Sequence, residues 1–545
     1  MIIQKLRDFL KENHIDYLWI NSTDEFLVEF NELENSSRYH VTGFSGSTGD
    51  VLLSQENIWQ FVDGRYHEQA DNEVDHKTTT VVKMQIGECL SDLITERITP
   101  ASTIGIVTPK ISLSFYNILE NKLSKKNCKI INLINDPVEK FVEFNKNNEK
   151  QICKRIDVSI TGLSADEKFY ILSKQLKDNQ TYLETKLDNI AYLTNLRQYK
   201  TPYSTTFKAK ALINKKGAVI FTDEQTDNIG ENFKILPLKD IDEYIKVAEN
   251  ILYCSSNINT ADFQKIQKKA VEARFDIITI MKSIKTDAEI ANFKINFERT
   301  DKVVEHIQSL VLGDIPVTEK DLSDETENQF LKQGAKQLSF STILAAGTNS
   351  SIIHYSHPSE KVFVHDGDFV LLDCGGHFES GYSTDITRTF LRGTPNNEQK
   401  KVYTTVLKMF LNAYNAEITD TTNGNDLDKI ARDIAQKANL EGFNFNHGLG
   451  HGVGINVHEH PPVISSGELG KTILQKNMVF TIEPGLYKKG FGGVRLENTV
   501  YLTEEKGKKK IKSFSHVNFQ ENLIDYNLLN EQEKIWLKNW QDKKC

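Results

Sequence analysis

The chain has 545 residues, 39% of them hydrophobic and 26% charged, with a formal net charge of -9. That length calls for two or three domains, and the composition is that of a soluble globular protein. No run approaches the roughly 18 consecutive apolar residues of a membrane span, and the acidic balance argues against general nucleic-acid binding, which needs clustered Lys and Arg.

At the start, Met1 to Glu12 intersperses charges among apolar residues as an amphipathic helix does, without the unbroken apolar stretch of a secretory signal. A cytoplasmic protein with no membrane or nucleic-acid partner is the expectation. Six cysteines (Cys89, Cys128, Cys153, Cys254, Cys374 and Cys545) are scattered with no CxxC pair, which fits neither a disulfide framework nor a thiolate zinc site. Two N-terminal segments then look like diverged copies of one unit. "YLWINSTDEFL" from Tyr17 parallels "YLETKLDNIAYL" from Tyr182, and each is followed by a strand pair, from Gly49 and from Lys208. "GFSGSTG" at Gly43 to Gly49 lacks a Lys-Ser/Thr or GxGxxG pattern and reads as a turn.

A polar stretch at Glu143 to Gln151 marks a first boundary. Near Lys282 lies a second, where the segment from Met281 to Val311 predicts a long helix with Ile290, Phe293 and Phe297 on one face. The expected domains are 1–137 and 138–283, both α/β, and 284–545, which is α+β with a largely antiparallel sheet. The basic run Lys506 to Lys512 follows Glu504 and Glu505 and reads as a solvated hairpin tip.

Chemistry concentrates in the third domain, where eight of the fourteen histidines fall between His354 and His460. Asp373 ends the apolar run "DFVLLD", where a buried charge costs several kcal/mol unless paired or metal-bound. In "STDITRTF" the alternation groups Asp385, Thr387 and Thr389, so a hairpin would bring the two aspartates face to face. Glu483 precedes Pro484 and Gly485, opposite Phe480 and Ile482. "GGVRLENTVYL" reads as one strand with Arg495, Glu497 and Thr499 on one face. Glycines at 448, 450, 452 and 454 predict an extended or looped segment carrying His451 and His458, with backbone close to a ligand. Four carboxylates and one imidazole match two divalent ions, with oxygen-rich ligation favouring manganese-type metals. Ions about 3.5 to 4 Å apart could share and ionise a water, which points to hydrolysis.

Asp373, Asp385 in "TDITRT", His451 in "GHGVG", Glu483 in "IEPG" and Glu497 in "RLEN" resemble the metalloaminopeptidase family M24 with the pita-bread fold. The two preceding creatinase-like α/β domains, the length and the tail from Glu521 resemble its three-domain Xaa-Pro aminopeptidase branch. That resemblance implies hydrolysis of the N-terminal Xaa-Pro bond of peptides by a homodimer carrying two divalent ions, Mn2+ first and Zn2+ or Co2+ as alternatives. It also implies Asp373 on one ion, His451 and Glu483 on the other, Asp385 and Glu497 as bridges, and Glu483 managing the proton of the attacking water. His354, His447 and His458 resemble the family's substrate-site histidines, with His458 suited to an oxyanion, and Arg495 resembles the arginine that holds the carboxylates. Asp373 and Asp385 are twelve residues apart where eleven is customary in the family, so a bulge is expected in the intervening loop. His357, His365, His377 and His460 read as surface or loop histidines. A prolidase would use the same ligands but is disfavoured by length, and a peptide-binding module of the same fold by retention of the ligands.

Overall fold

The structure is a computed structural model that describes residues 2–144 and 151–542, so most of the polar stretch expected at the first boundary, together with Cys545, lies outside the described residues. Two compact units emerge. One comprises Met1–Arg155, Leu163–Pro202 and Thr206–Ile278, and the other Ile156–Gly162, Tyr203–Thr205 and Thr279–Cys545.

In the first unit, helix α1 (Ile2–Glu12) buries Leu6 and Leu10. A six-stranded sheet follows, built from β1 (Tyr17–Ile20), β2 (Val51–Ser54), β3 (Ile58–Val62), β4 (Thr80–Lys83), β5 (Thr103–Val107) and β6 (Lys129–Leu133). A second is built from β7 (Thr181–Glu184), β8 (Lys210–Asn214), β9 (Gly217–Phe221), β10 (Phe233–Leu236), β11 (Ile251–Tyr253) and β12 (Ala270–Glu272). Their strand orders, β4-β3-β2-β1-β5-β6 and β10-β9-β8-β7-β11-β12, are the same. So are the directions, antiparallel at β1/β2, β2/β3, β7/β8 and β8/β9 and parallel at every other pair. The repeat read from short sequence echoes is therefore a repeat of topology. Central strand β1 is buried along its length and alternates, with Tyr17 and Trp19 in one apolar cluster and Leu18 and Ile20 in another, as a strand covered on both faces must.

At the end of β7, Glu184 is 1% exposed. Its carboxylate accepts the N–H groups of Thr185 (2.9 Å) and Lys186 (2.8 Å) and the Asn189 amide (2.8 Å), which also donates to Asp276 (2.9 Å). Burial, then the neighbouring Asp276 charge, pushes its pKa up to about 8. Because the folded value lies above the unfolded one, the contribution to stability is fully present below the ordinary glutamate range and is lost as pH rises towards 8. Urea midpoints measured from pH 5 to 9 are expected to fall across this window, and Glu184→Gln to flatten the fall. An unchanged slope in the variant would refute the assignment.

The second unit contains the long helix α2 (Asp287–Leu312). The helix begins six residues later than the expected start at Met281: residues up to Ser283 belong to a separate short helix, Ile277–Ser283, and a capping box of Thr286 and Glu289 starts α2. Ile290, Phe293 and Phe297 are buried as predicted. Strands β13 (Ile343–Ala346), β14 (Phe369–Cys374) and β15 (Ile386–Leu391) form one sheet. Strands β16 (Gly450–Gly452), β17 (Glu459–Ile464), β18 (Val479–Ile482), β21 (Asn498–Glu505) and β22 (Lys508–Ser513) form another in the order β17-β16-β18-β21-β22, and β19 (Gly485–Lys488) pairs with β20 (Gly492–Arg495). Each of these pairings is antiparallel. Helix α3 (Asn397–Tyr414) packs Val402, Val406 and Phe410 into a core shared with Phe480, Ile482, Val494, Leu496 and Val500.

The expected single strand from Gly492 is broken between Arg495 and Asn498. There the Leu496 N–H turns to the Pro484 carbonyl and the Glu497 N–H to Thr387, so one sequence run serves two sheets while keeping its alternation. The bulge expected between the aspartates is absent too: β14 and β15 pair without a slip from Phe369↔Leu391 to Cys374↔Ile386, and the bridge His377↔Ser383 continues the same register. The basic run forms the expected hairpin tip, with Glu505 opposite Lys508 and Glu504 opposite Lys509. Its turn residues Lys506 and Gly507 take φ of 51° and 73°, the left-handed pair that a two-residue hairpin loop requires. No described helix is long and apolar enough to cross a membrane.

Candidate metal centre

Asp373 sits on β14 opposite Thr387 of β15, and Asp385 immediately precedes β15 on the same face. The next strand over is pinned against them, since Glu497 donates its N–H to Thr387 (3.0 Å) and accepts the Thr387 hydroxyl at 2.7 Å. From the other sheet, β16 carries His451, whose N–H donates to Thr481 Oγ1 (3.1 Å), and Glu483 follows β18 with its N–H on the Leu449 carbonyl (2.8 Å). His451 Nε2 lies 3.5 Å from Asp385 Oδ2 and 3.6 Å from Glu483 Oε1. One ligating atom each from Asp385, His451 and Glu497 fall within 4.8 Å of one another. The His451 Nδ1–H donates to its neighbour's carbonyl at Gly452 (3.0 Å), which leaves the Nε2 lone pair directed at the carboxylates.

Asp373 completes the group from one side. Its Oδ2 accepts Arg495 Nη2 at 2.6 Å, and its Oδ1 is buried with no hydrogen bond from any described residue. Burial, then repulsion from Glu497, Asp373 and Glu483, raises the pKa of Asp385 well above the carboxylate range. Burial, then Glu483 and Asp373, does the same to Glu497. A desolvated cluster of four carboxylates with an orphaned oxygen and one imidazole lone pair is a donor set that suits hard divalent cations, whose charge relieves that repulsion.

Arg495 is the hub behind the cluster. Only 1% exposed, it donates to Asp373, to Thr387 Oγ1 (3.1 Å), to the Tyr487 hydroxyl (2.9 Å) and to the Ile353 carbonyl (3.2 Å). The last bond places half-buried His354 on a loop fastened to the same guanidinium. Tyr487, whose phenol burial keeps protonated, passes the connection on to His447 Nε2 (2.9 Å), while His447 Nδ1 meets the Gly448 carbonyl at 2.8 Å. His458 stands edge-on to His451, with ring centroids 4.4 Å apart. The structure thus draws His447 and His458 to the five carboxylate and imidazole groups directly, and His354 through its neighbour Ile353.

Tyr487 is not singled out by the sequence, and Thr387 is grouped there with Asp385 on one strand face but given no role. The signal for Tyr487 was present in the period of two that relates it to Glu483 and Gly485. Two other readings need correction. The glycines beside His451 make room for backbone rather than for a ligand: a Cβ at Gly450 would overlap the Thr481 carbonyl, and one at Gly452 the Glu459 carbonyl. His377 is not a surface histidine; it is fully buried, with Nε2 2.8 Å from Ser383 Oγ and 3.2 Å from the Ile455 carbonyl. His357, His365 and His460 are exposed.

Residues 291–504 match the profile of metallopeptidase family M24, and residues 2–136 and 145–289 each match a creatinase/prolidase N-terminal domain. The chain thus carries an M24 metallopeptidase domain at residues 291–504, behind two domains of the creatinase/prolidase N-terminal type. Relatives spanning nearly its whole length include a probable Xaa-Pro aminopeptidase P of Laccaria bicolor, 28% identical over 99% of this chain and 88% of that one. Xaa-Pro aminopeptidase 1 of Dictyostelium discoideum is 27% identical over 99% and 91%. The crystal structure of X-prolyl aminopeptidase from Caenorhabditis elegans, described as a cytosolic enzyme with a di-nuclear active site, superposes with a TM-score of 0.92 at 25% identity, covering 100% of this chain and 95% of that one. Prolidase from Pyrococcus horikoshii, 28% identical, covers only 66% of this chain with a TM-score of 0.53.

Proposed function

We propose that this chain is an Xaa-Pro aminopeptidase that hydrolyses the N-terminal Xaa-Pro bond of peptides and releases the first amino acid. The observation that carries the reading is the full-length correspondence to X-prolyl aminopeptidase, set against a prolidase match confined to two thirds of the chain. Domain boundaries at 1–137, 138–283 and 284–545 are part of the same reading, supported by the extents of the three profile matches.

Asp373 would hold one divalent ion, His451 and Glu483 the other, and Asp385 and Glu497 would bridge them. Mn2+ is the metal we favour on the oxygen-rich donor set, with Zn2+ or Co2+ as alternatives. When bound, the ions supply Lewis acidity and lower the proton affinity of a water so that a nucleophile exists near neutral pH. Glu483 accepts the proton of that water and delivers it to the departing proline nitrogen, which as a tertiary amide carries no hydrogen of its own. His458 donates to the oxyanion developing on the scissile carbonyl. His354 and His447, both steadied through Arg495, border the substrate, with His447 fixed in one tautomer by Tyr487 and the Gly448 carbonyl. The substrate's free N-terminus lies near Asp373. A cytosolic location, the one described for the Caenorhabditis elegans enzyme, belongs to the same proposal, and so does assembly as a homodimer through the third domain.

The test compares Xaa-Pro-Xaa tripeptides with Xaa-Pro dipeptides at saturating Mn2+. Release of the first residue from tripeptides, with dipeptides poor substrates, is expected; dipeptide preference would make the protein a prolidase, and no divalent-dependent turnover of either would leave only a binding module.

A further inference from the structure

Between His451 and His458 the chain leaves β16 and returns on β17 through a loop that is held from within by Glu459. The Glu459 Oε1 accepts the N–H groups of Ile455 (2.7 Å) and Asn456 (3.2 Å). Space for this carboxylate exists only because residue 454 is glycine, since a Cβ added there would overlap it. The charge is matched by two lysines from the segment ahead of α2: Lys282 Nζ at 3.3 Å from Oε1 and Lys285 Nζ at 3.3 Å from Oε2. All three side chains are 3% exposed. Lys285 is itself fixed, since its Nζ donates to the Lys282 carbonyl (2.9 Å) and its backbone N–H to Asn477 (3.0 Å).

A desolvated carboxylate with two ammonium partners and two backbone donors is confined to one position. The loop is also fastened from outside, by the Ser383 N–H on the Gly454 carbonyl (2.8 Å) and by His377 on that of Ile455. Both fasteners sit in the connection between Asp373 and Asp385. His451 is placed independently by strand pairing on both sides of β16. His458, next to Glu459 in the chain, has no strand of its own.

We propose that Glu459, charge-matched by Lys282 and Lys285, is a positioning residue that sets the His458 ring against His451 and so governs the oxyanion step without touching substrate or metal. The inference rests on the aminopeptidase reading, in which His458 serves the oxyanion. The experiment measures kcat and KM for an Xaa-Pro-Xaa tripeptide, with bound Mn2+ per chain, in wild type, Glu459→Gln, Glu459→Asp, His458→Ala and the two double variants. Glu459→Asp keeps the charge opposite the lysines and withdraws the carboxylate from the loop by one methylene, so it reports even if Glu459→Gln fails to fold. Each Glu459 variant is expected to lower kcat roughly 10- to 100-fold with metal content unchanged. In the His458→Ala background the further loss should be within about twofold, because the two residues act through one group. Wild-type kcat in Glu459→Asp, losses that multiply in the double variants, or loss of metal would each overturn the positioning role. An inactive wild type would instead overturn the aminopeptidase reading and this inference with it.

Discussion

Replacing Glu483 with glutamine is expected to lower kcat for Xaa-Pro tripeptides by roughly 10²- to 10⁴-fold, the range associated with losing a positioned acid-base group. The substitution is nearly isosteric, and the backbone N–H of residue 483 remains on the Leu449 carbonyl (2.8 Å), so the fold and the strands on either side stay in place. What disappears is the capacity to hold and release a proton 3.6 Å from His451 Nε2. Far-ultraviolet circular dichroism and the thermal midpoint should match wild type while turnover collapses. A variant retaining more than a tenth of wild-type kcat at full metal occupancy would remove Glu483 from the proton path.

The second large effect is expected at Arg495. Its guanidinium satisfies Asp373, Thr387, Tyr487 and the Ile353 carbonyl at once, a fork that no single ammonium reproduces. Arg495→Lys should therefore cost roughly 10- to 100-fold in kcat/KM or metal affinity, because the His354 loop and Tyr487, and through it His447, lose their common tether. Arg495→Met leaves the buried Asp373 carboxylate without its cation, and breaking a buried pair in this way costs about 3 to 5 kcal/mol. Chemical denaturation of the metal-free protein reads the stability cost, and Mn2+ titration of activity reads the affinity. Wild-type affinity and kcat/KM in Arg495→Lys would show that the fork does not organise the site.

Much of this site was legible in sequence because its parts obey short-range rules. A period of two decides which side chains share a strand face, so Asp385 with Thr387, and Arg495 with Glu497, could be grouped before any pairing was known. The hairpin reading of Glu504 to Lys512 rested on another short-range signal, a basic run directly behind two glutamates, which the structure pairs across the turn. Failures came where the deciding contact is distant. Nothing within residues 492–502 signals that the strand must break so that Leu496 can meet Pro484 and Glu497 can meet Thr387. The glycines around His451 were correctly read as excluding a helix but wrongly given to a ligand, since the atoms that require them belong to Thr481 and Glu459. His377 looked like a loop histidine because its partner at Ile455 is 78 positions away. Lys282 and Lys285 carry no local sign of their role, because Glu459, the carboxylate they flank, lies 174 positions beyond Lys285.

Gly450 gives the arrangement a mechanical property. Hydrogen is the largest substituent that fits between its α-carbon and the Thr481 carbonyl, so the segments bearing His451 and Glu483 lie as near to each other as two peptide backbones can. A single methyl there would drive a wedge between the halves of the metal cradle while changing neither charge nor any ligand, and the damage would register as a misfit of the ions rather than as a missing side chain.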